Sequence, residues 1–162
     1  MNIVLHEPEI PQNTGNIART CAATGAKLHL IEPLGFSIDD KSIKRAGLDY
    51  WHLVDVRTYK NFEEFVAKNN NPKIYMATTK SKQTYTEVTY EKDAFIMFGK
   101  ETAGIPEEIL LQYKPTAIRI PMIREARSLN LSNSAAIVLY EALRQNEFEA
   151  LETKGQLHHY EW

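Results

Sequence analysis

The sequence predicts an α/β domain built on a mostly parallel sheet with helices on both faces. Three observations lead there. Short apolar runs rich in β-branched residues alternate with segments whose apolar residues recur at helical spacing. Such alternation joins parallel strands through helical crossovers. The 162 residues suit one domain with one sizeable core, and no internal repeat, low-complexity tract or linker interrupts them.

Ile3–Leu5 is the first strand. Asn13-Thr14-Gly15-Asn16 then opens a helix carrying Ile17 and Cys21–Ala22 on one face, with Gly25 as its C′ residue. Leu28–Ile31 is a second strand, and Asp39 or Asp40 caps a short helix ending near Gly47. Leu53–Val56 forms a third strand, with Asp55 and Arg57 on its polar side or at its end. Asn61 caps the next helix, paired with Glu64 in a capping-box-like pattern, and Phe62, Phe65 and Val66 form its buried stripe. Ile74–Thr78 and Ala94–Phe98 are strong strands, and the polar stretch between them is a loop with at most a weak edge strand. Pro106 suits the first position of a helix containing Ile109, Leu110 and Leu111. Ile118–Ile120 is a short strand stopped by Pro121. Ser132 or Asn133 starts a last helix with a broad apolar face of Ala136, Ile137, Leu139, Tyr140 and Leu143. The expected division is one domain over 1–150 and a polar tail over 151–162, with fraying from Glu147 onward.

Bulk properties exclude several classes. A net charge of −2 supplies no global field for nucleic acid, so any RNA contact must use a local basic patch. The one cysteine, Cys21, rules out an intramolecular disulfide and a multi-thiolate zinc site, and fits a reducing compartment. MNIVLHEPEI has no basic region leading into a long apolar run, and no stretch approaches the roughly 20 apolar residues of a membrane span. A cytoplasmic protein with no membrane association is expected. His158 and His159 lie in a polar tail without a third ligand, so no metal is expected.

Neither GxGxxG nor GxxxxGK[ST] is present, which argues against a dinucleotide enzyme and a P-loop ATPase. Three other segments carry chemistry. Asn13-Thr14-Gly15-Asn16-Ile17-Ala18-Arg19 offers helix N–H groups and polar side chains to an anion, with Arg19 one turn in as a bidentate phosphate fork. A capped helix with a solvated arginine is the plainer alternative. Phe98-Gly99-Lys100-Glu101-Thr102-Ala103-Gly104-Ile105-Pro106 follows a strand, where open parallel sheets bind ligands. Gly99 there permits close approach of a ligand to the backbone, and Glu101 is the carboxylate of the turn. Ile120 to Asn133 leaves a strand and enters a helix with Ser128, Asn130, Ser132 and Asn133 crowded at its mouth. Capping requires one of these four.

In this order and spacing, NTGNIART, FGKETAGIP and IPMIREARSLNLSNSAAIVLYEA resemble the three motifs of the SpoU branch of the SpoU–TrmD (SPOUT) methyltransferases. IVLHEPEIPQNTGN and IKRAGLDYW extend the likeness over nearly the whole chain, and the lack of an added RNA-binding domain is similar to the small TrmL/YibK group. The resemblance implies a deep C-terminal trefoil knot, a homodimer with active sites at the subunit interface, and S-adenosylmethionine as methyl donor. It implies methylation of the ribose 2′-hydroxyl of the wobble nucleotide, cytidine or uridine, in the anticodon stem-loop of leucine tRNAs. Carried over by position, Ala77, Thr78, Gly99, Ile120, Ser128 and Leu129 hold the cofactor, and Arg19, Glu101, Ser128 and Asn130 are catalytic. Lys41, Lys44, Arg45, Arg124 and Arg127 are the local basic clusters for RNA, and Tyr50 and Trp51 are candidates for base stacking or for core packing. The alternatives are a 2′-O-methyltransferase for another tRNA or rRNA position and a non-catalytic RNA-binding protein of the same fold.

Overall fold

A computed structural model describes residues 1–38 and 52–161. The predicted helix after Asp39 and Asp40, Lys41, Lys44, Arg45, Tyr50 and Trp51 lie outside the described residues. The elements run β1 (Asn2–His6), α1 (Pro11–Thr24), β2 (Lys27–Ile31), β3 (Val56–Tyr59), α2 (Phe62–Lys68), β4 (Ile74–Ala77), β5 (Phe95–Phe98), α3 (Glu107–Gln112), a 3₁₀ turn (Lys114–Thr116), β6 (Ala117–Ile118) and α4 (Leu131–Gln145). Among the described residues six strands form one sheet in the order β3-β2-β1-β5-β4-β6, every pair parallel.

Strand alternation splits the core in two. Ile3, Leu5, Leu28, Leu30, Ile96 and Phe98 face α1 and α4, meeting Ile17, Cys21, Ala135, Val138 and Leu139. Val4, Ile31, Ile74, Met76 and Met97 face the other way, onto Phe62 and Phe65 of α2, with Ile109 and Leu110 of α3 at the margin. Helices therefore cover both faces, which explains why β1, paired on both sides, is buried at all five positions. Each large apolar side chain so buried contributes roughly 1.5–3 kcal/mol. One polar cluster is built into this core: Tyr59 donates to Nδ1 of buried His29 (2.8 Å), whose Nε2–H donates to Asn2 Oδ1 (3.1 Å).

Several boundaries differ from the sequence expectation. Helix α1 starts at Pro11, before Asn13, because a proline is pre-organised for the first helical position. Asn13, Thr14 and Gly15 are thus inside the first turns and buried, and Gly25 ends the helix with φ +69° as expected. Strand β3 lies three residues beyond the predicted Leu53–Val56. Leu53 is 60% exposed, whereas buried Tyr59 anchors the edge strand in the core. Pro106 caps α3 rather than entering it, and Leu111 is exposed. Asn130, not Ser132 or Asn133, is the N-cap of α4. The buried stripe of α4 is Ala135, Val138, Leu139, Ala142 and Leu143, so Ile137 and Tyr140, expected in the core, point outward at 37% and 45% exposure. Phe148 and Leu151 pack against the α1–α4 side of the core, so chain order extends past Glu147.

The segment at β6 is held from two sides by one excursion of the chain. Ala117 and Ile118 pair with Met76 and Ala77, while Arg119 bridges in parallel to Thr84. Further along the same excursion, Gln145 of α4 donates to the Val88 carbonyl and accepts from the Tyr90 N–H (both 3.0 Å).

Candidate active site

The connections after β1 and β5, adjacent strands, diverge to opposite faces: β1 leads to α1 and β5 to α3. A crevice opens at such a switch point, beyond the carboxyl ends of the strands. Here it is a cleft of about 590 Å³, within the range of ligand pockets. Its walls come from Ala77–Lys80 after β4, Phe98–Ile105 after β5, and Ile120, Met122 and Arg127–Leu131 before α4, with Ile10 and Asn13 of α1 at one end.

Two glycines shape the β5 turn. A Cβ on Gly99 would overlap the Gly104 carbonyl carbon and the Ile105 nitrogen, and Gly104 takes φ +74° while its N–H donates to the Lys100 carbonyl (2.8 Å). The turn is strapped to the β1–α1 loop by Lys100 to Glu7 (2.9 Å) and by Thr102, whose N–H and hydroxyl both donate to Glu9. Gly35 packs so closely on Glu9 that a Cβ there would lie 2.6 Å from its carbonyl oxygen.

Glu101 is the hub. Its carboxylate accepts from the Glu9 N–H (2.8 Å), the Ile10 N–H (3.3 Å) and the Asn13 side-chain amide (2.8 Å). Ile10, the N-cap of α1, has no side-chain cap of its own. A carboxylate from 91 residues away serves the exposed donors there, where the helix dipole also favours negative charge. The other end of Asn13 accepts from Asn130 Nδ2 (3.0 Å), and Asn130 Oδ1 in turn accepts from the Ser132 and Asn133 N–H groups that begin α4. Glu101, Asn13 and Asn130 form one chain of hydrogen bonds tying the three motif segments together.

The cleft thus gathers Ala77, Thr78, Gly99, Glu101, Ile120, Arg127, Ser128, Leu129 and Asn130 of the sequence-predicted residues. Among the described residues Ser128 and Arg127 make no hydrogen bond or ion pair, so their polar atoms are available to a ligand. Arg19 lies on the exposed side of α1, outside the cleft lining, and exposed Arg124 is likewise outside it. Sequence reasoning missed Asn13 as a hub and Thr79 and Lys80 as walls. The two prolines at 8 and 11 were a usable signal, since they place the helix start upstream and Asn13 in its first turn. No group of three His, Cys, Asp or Glu side chains among the described residues can hold a metal ion. No helix among them is long and apolar enough to cross a membrane.

The shape of the cleft suits a nucleoside with a polar tail. Ile105, Ile120, Met122 and Leu129 offer an apolar slot, small Ala77 and Ala103 expose backbone, and Thr78, Thr79 and Ser128 supply hydroxyls.

Comparison with known proteins agrees. A tRNA (cytidine(34)-2′-O)-methyltransferase of Escherichia coli (strain K12) is 47% identical over 146 residues, covering 90% of this chain and 93% of that protein. A provisional assignment of the same name in Geobacillus stearothermophilus is 51% identical over 154 residues, covering 93% and 98%. A solved structure described as giving insight into 2-OH methylation of C/U34 on tRNA superposes with TM-score 0.86 at 40% identity, covering 90% of this chain and 95% of that one. An AdoMet-bound rRNA methyltransferase from Sinorhizobium meliloti superposes at 0.79 and 26% identity, covering 88% and 55%. The profile of the SpoU rRNA Methylase family spans residues 1–140, the stretch that holds all three wired motif segments, and the chain belongs to that family.

Proposed function

We propose that this chain is an S-adenosylmethionine-dependent tRNA (cytidine/uridine-2′-O-)-methyltransferase acting on the wobble nucleotide of leucine tRNAs. The observation that carries the reading is the convergence of residues 13, 101 and 130, joined by side-chain hydrogen bonds, at one end of a nucleoside-sized cleft. The names of the relatives support the substrate, and the AdoMet-bound neighbour supports the donor.

When bound, S-adenosylmethionine supplies a methyl group already activated on a positive sulfur, so the protein's work is alignment, worth up to roughly 7–11 kcal/mol. Ala77, Thr78, Gly99, Ile120, Ser128 and Leu129 hold the cofactor. Arg19, outside the cleft of its own subunit, serves the facing subunit's cleft across the homodimer interface, where its guanidinium binds the ribose or its phosphate and stabilises the charge growing on the 2′-oxygen, while water or phosphate takes the proton. Glu101 has both oxygens occupied by three donors, and Asn130 has its whole amide engaged. Both are therefore positioning residues that hold Ser128 and the cleft mouth in register.

Arg127 in the cleft wall and exposed Arg124 outside it neutralise phosphates of the anticodon stem-loop, and Lys41, Lys44 and Arg45 join them on sequence grounds. The outward Ile137 and Tyr140 of α4 favour a homodimer that covers them. The C-terminal trefoil knot of the family is supported by Ala117–Arg119, which one excursion of the chain flanks on both sides. Residues 1–150 act as the single catalytic domain, in the cytoplasm.

The test is methyl transfer from labelled S-adenosylmethionine to bulk tRNA, followed by nucleoside mapping. A 2′-O-methyl group at nucleotide 34 of leucine tRNAs is expected. Methylation mapped to another position or another isoacceptor overturns the substrate assignment, and absence of transfer overturns the enzyme.

A further inference from the structure

Arg119 does not line the cleft, yet it is bonded to both limbs of the excursion that forms one cleft wall. Its N–H donates to the Gln83 carbonyl (2.8 Å) and its own carbonyl accepts from the Tyr85 N–H (2.9 Å). Its guanidinium Nη1 donates to the Thr79 carbonyl (2.7 Å). Thr78, Thr79 and Lys80 are cleft residues on the outgoing limb, and Ile120, the neighbour of Arg119, is a cleft residue of the opposite wall. Among the described residues Arg119 makes no ion pair, so its charge is directed at a backbone carbonyl.

Two bonds tie this wall to β6: the Thr78 N–H donates to the Ile118 carbonyl (2.9 Å) and the Ser81 hydroxyl to the Ala117 carbonyl (2.8 Å). Lys80 pairs with Glu107 at 2.7 Å, but both side chains are more than half exposed, and such solvated pairs contribute little. The Thr78 hydroxyl accepts from the nearby Lys80 N–H, a bond within the wall itself. Among the described residues the bond from Arg119 is the charge-assisted side-chain link between the Thr78–Lys80 wall and the strand that leads to Ile120.

We propose that Arg119 is a positioning residue for the cofactor, its guanidinium latching the Thr79 carbonyl so that the two walls close to one fixed width. This rests on the cleft being the S-adenosylmethionine pocket. A loosened wall costs affinity for the bound nucleoside, and it leaves the reacting end, organised by Asn13, Glu101 and Asn130, in place.

The experiment compares wild type, Arg119→Met and Arg119→Lys by calorimetric titration with S-adenosylmethionine and S-adenosylhomocysteine. Arg119→Met keeps the apolar stem and removes the donors. Its cofactor dissociation constant is expected to rise about tenfold or more, the loss typical of one charged hydrogen bond, with kcat at saturating cofactor within about twofold of wild type. Arg119→Lys, which retains one donor, recovers part of the affinity. A folded Arg119→Met protein that binds both ligands as wild type does overturns the proposal, as does a kcat loss with unchanged affinity. Amide exchange of the wild type needs no variant: cofactor is expected to slow residues 78–80 and 83–85 together, and protection of the first set alone also overturns the latch. Failure of the wild type itself to bind would instead overturn the cofactor reading.

Discussion

Asn13 shows how one amide serves as a joint. Its Nδ2 donates to Glu101 and its Oδ1 accepts from Asn130, so orientation is dictated at both ends. Asn13→Ala takes one of three donors from half-buried Glu101 and the acceptor from the Asn130 Nδ2, and a loss of about 1–3 kcal/mol in urea unfolding is expected, with methyl transfer down about tenfold or more. Asn13→Asp has nearly the same shape but sets a second carboxylate against Glu101. It should be worse than the alanine variant at pH 7.5 and recover towards acid pH, and parallel unfolding and activity curves for the two variants check this. His29 gives a second prediction. Burial, followed by nearby Arg57, holds its imidazole down at about 4 from 6.5. The unfolded chain then takes up a proton near pH 6.5 that the folded chain refuses until about 4. Stability from this group is fully present above that window and declines as pH falls through it, by about 3 kcal/mol in total. Urea titrations at pH 7.5 and 4.5 measure it, and a flat profile removes the effect.

At the scale of elements, the β5 turn and the end of α1 pose opposite demands on glycine. Gly25 has φ +69° with open space around a Cβ, so Gly25→Ala costs only the left-handed backbone penalty, about 1–2 kcal/mol, with cofactor affinity unchanged. Gly99 is short of space, because the Gly104–Ile105 backbone fills the place a Cβ would take. Gly99→Ala must open the turn, and loss of measurable cofactor binding is expected even where the protein stays folded. Thermal melts and calorimetry on the pair separate the two mechanisms. Much of this scale was legible in the sequence: Ile3–Leu5, Leu28–Ile31 and the Asn61 cap sit where residue type and spacing put them. The misplacements share a cause. Val56–Tyr59, rather than Leu53–Val56, became the edge strand because β2 offers its hydrogen bonds to that register, and no local pattern reports a neighbour's register. Helix α4 is apolar on more than one side, so its sequence alone did not tell the sheet-facing stripe from the outward Ile137 and Tyr140.

For the whole molecule, that outward stripe and the cleft belong to one question. If Ile137 and Tyr140 lie in a subunit interface, Tyr140→Glu buries a charge there. A shift from dimer to monomer in sedimentation velocity is expected, with methyl transfer reduced and cofactor binding by the isolated cleft weakened less than tenfold. A variant that stays dimeric and fully active removes α4 from the interface.

The sequence by itself determined the α/β class and the two-faced parallel sheet, because these follow from residue type and spacing, and the family resemblance of its motifs named most of the nine expected residues that line the cleft. Only the tertiary structure decided what those residues do to one another. That Glu101 accepts from the N-cap residue of a helix, 91 residues earlier, that Asn130 is an N-cap rather than a free amide, and that Arg119 reaches Thr79 are facts of long-range geometry. Hydrogen bonds between distant segments depend on where the chain returns, and periodicity carries no information about that.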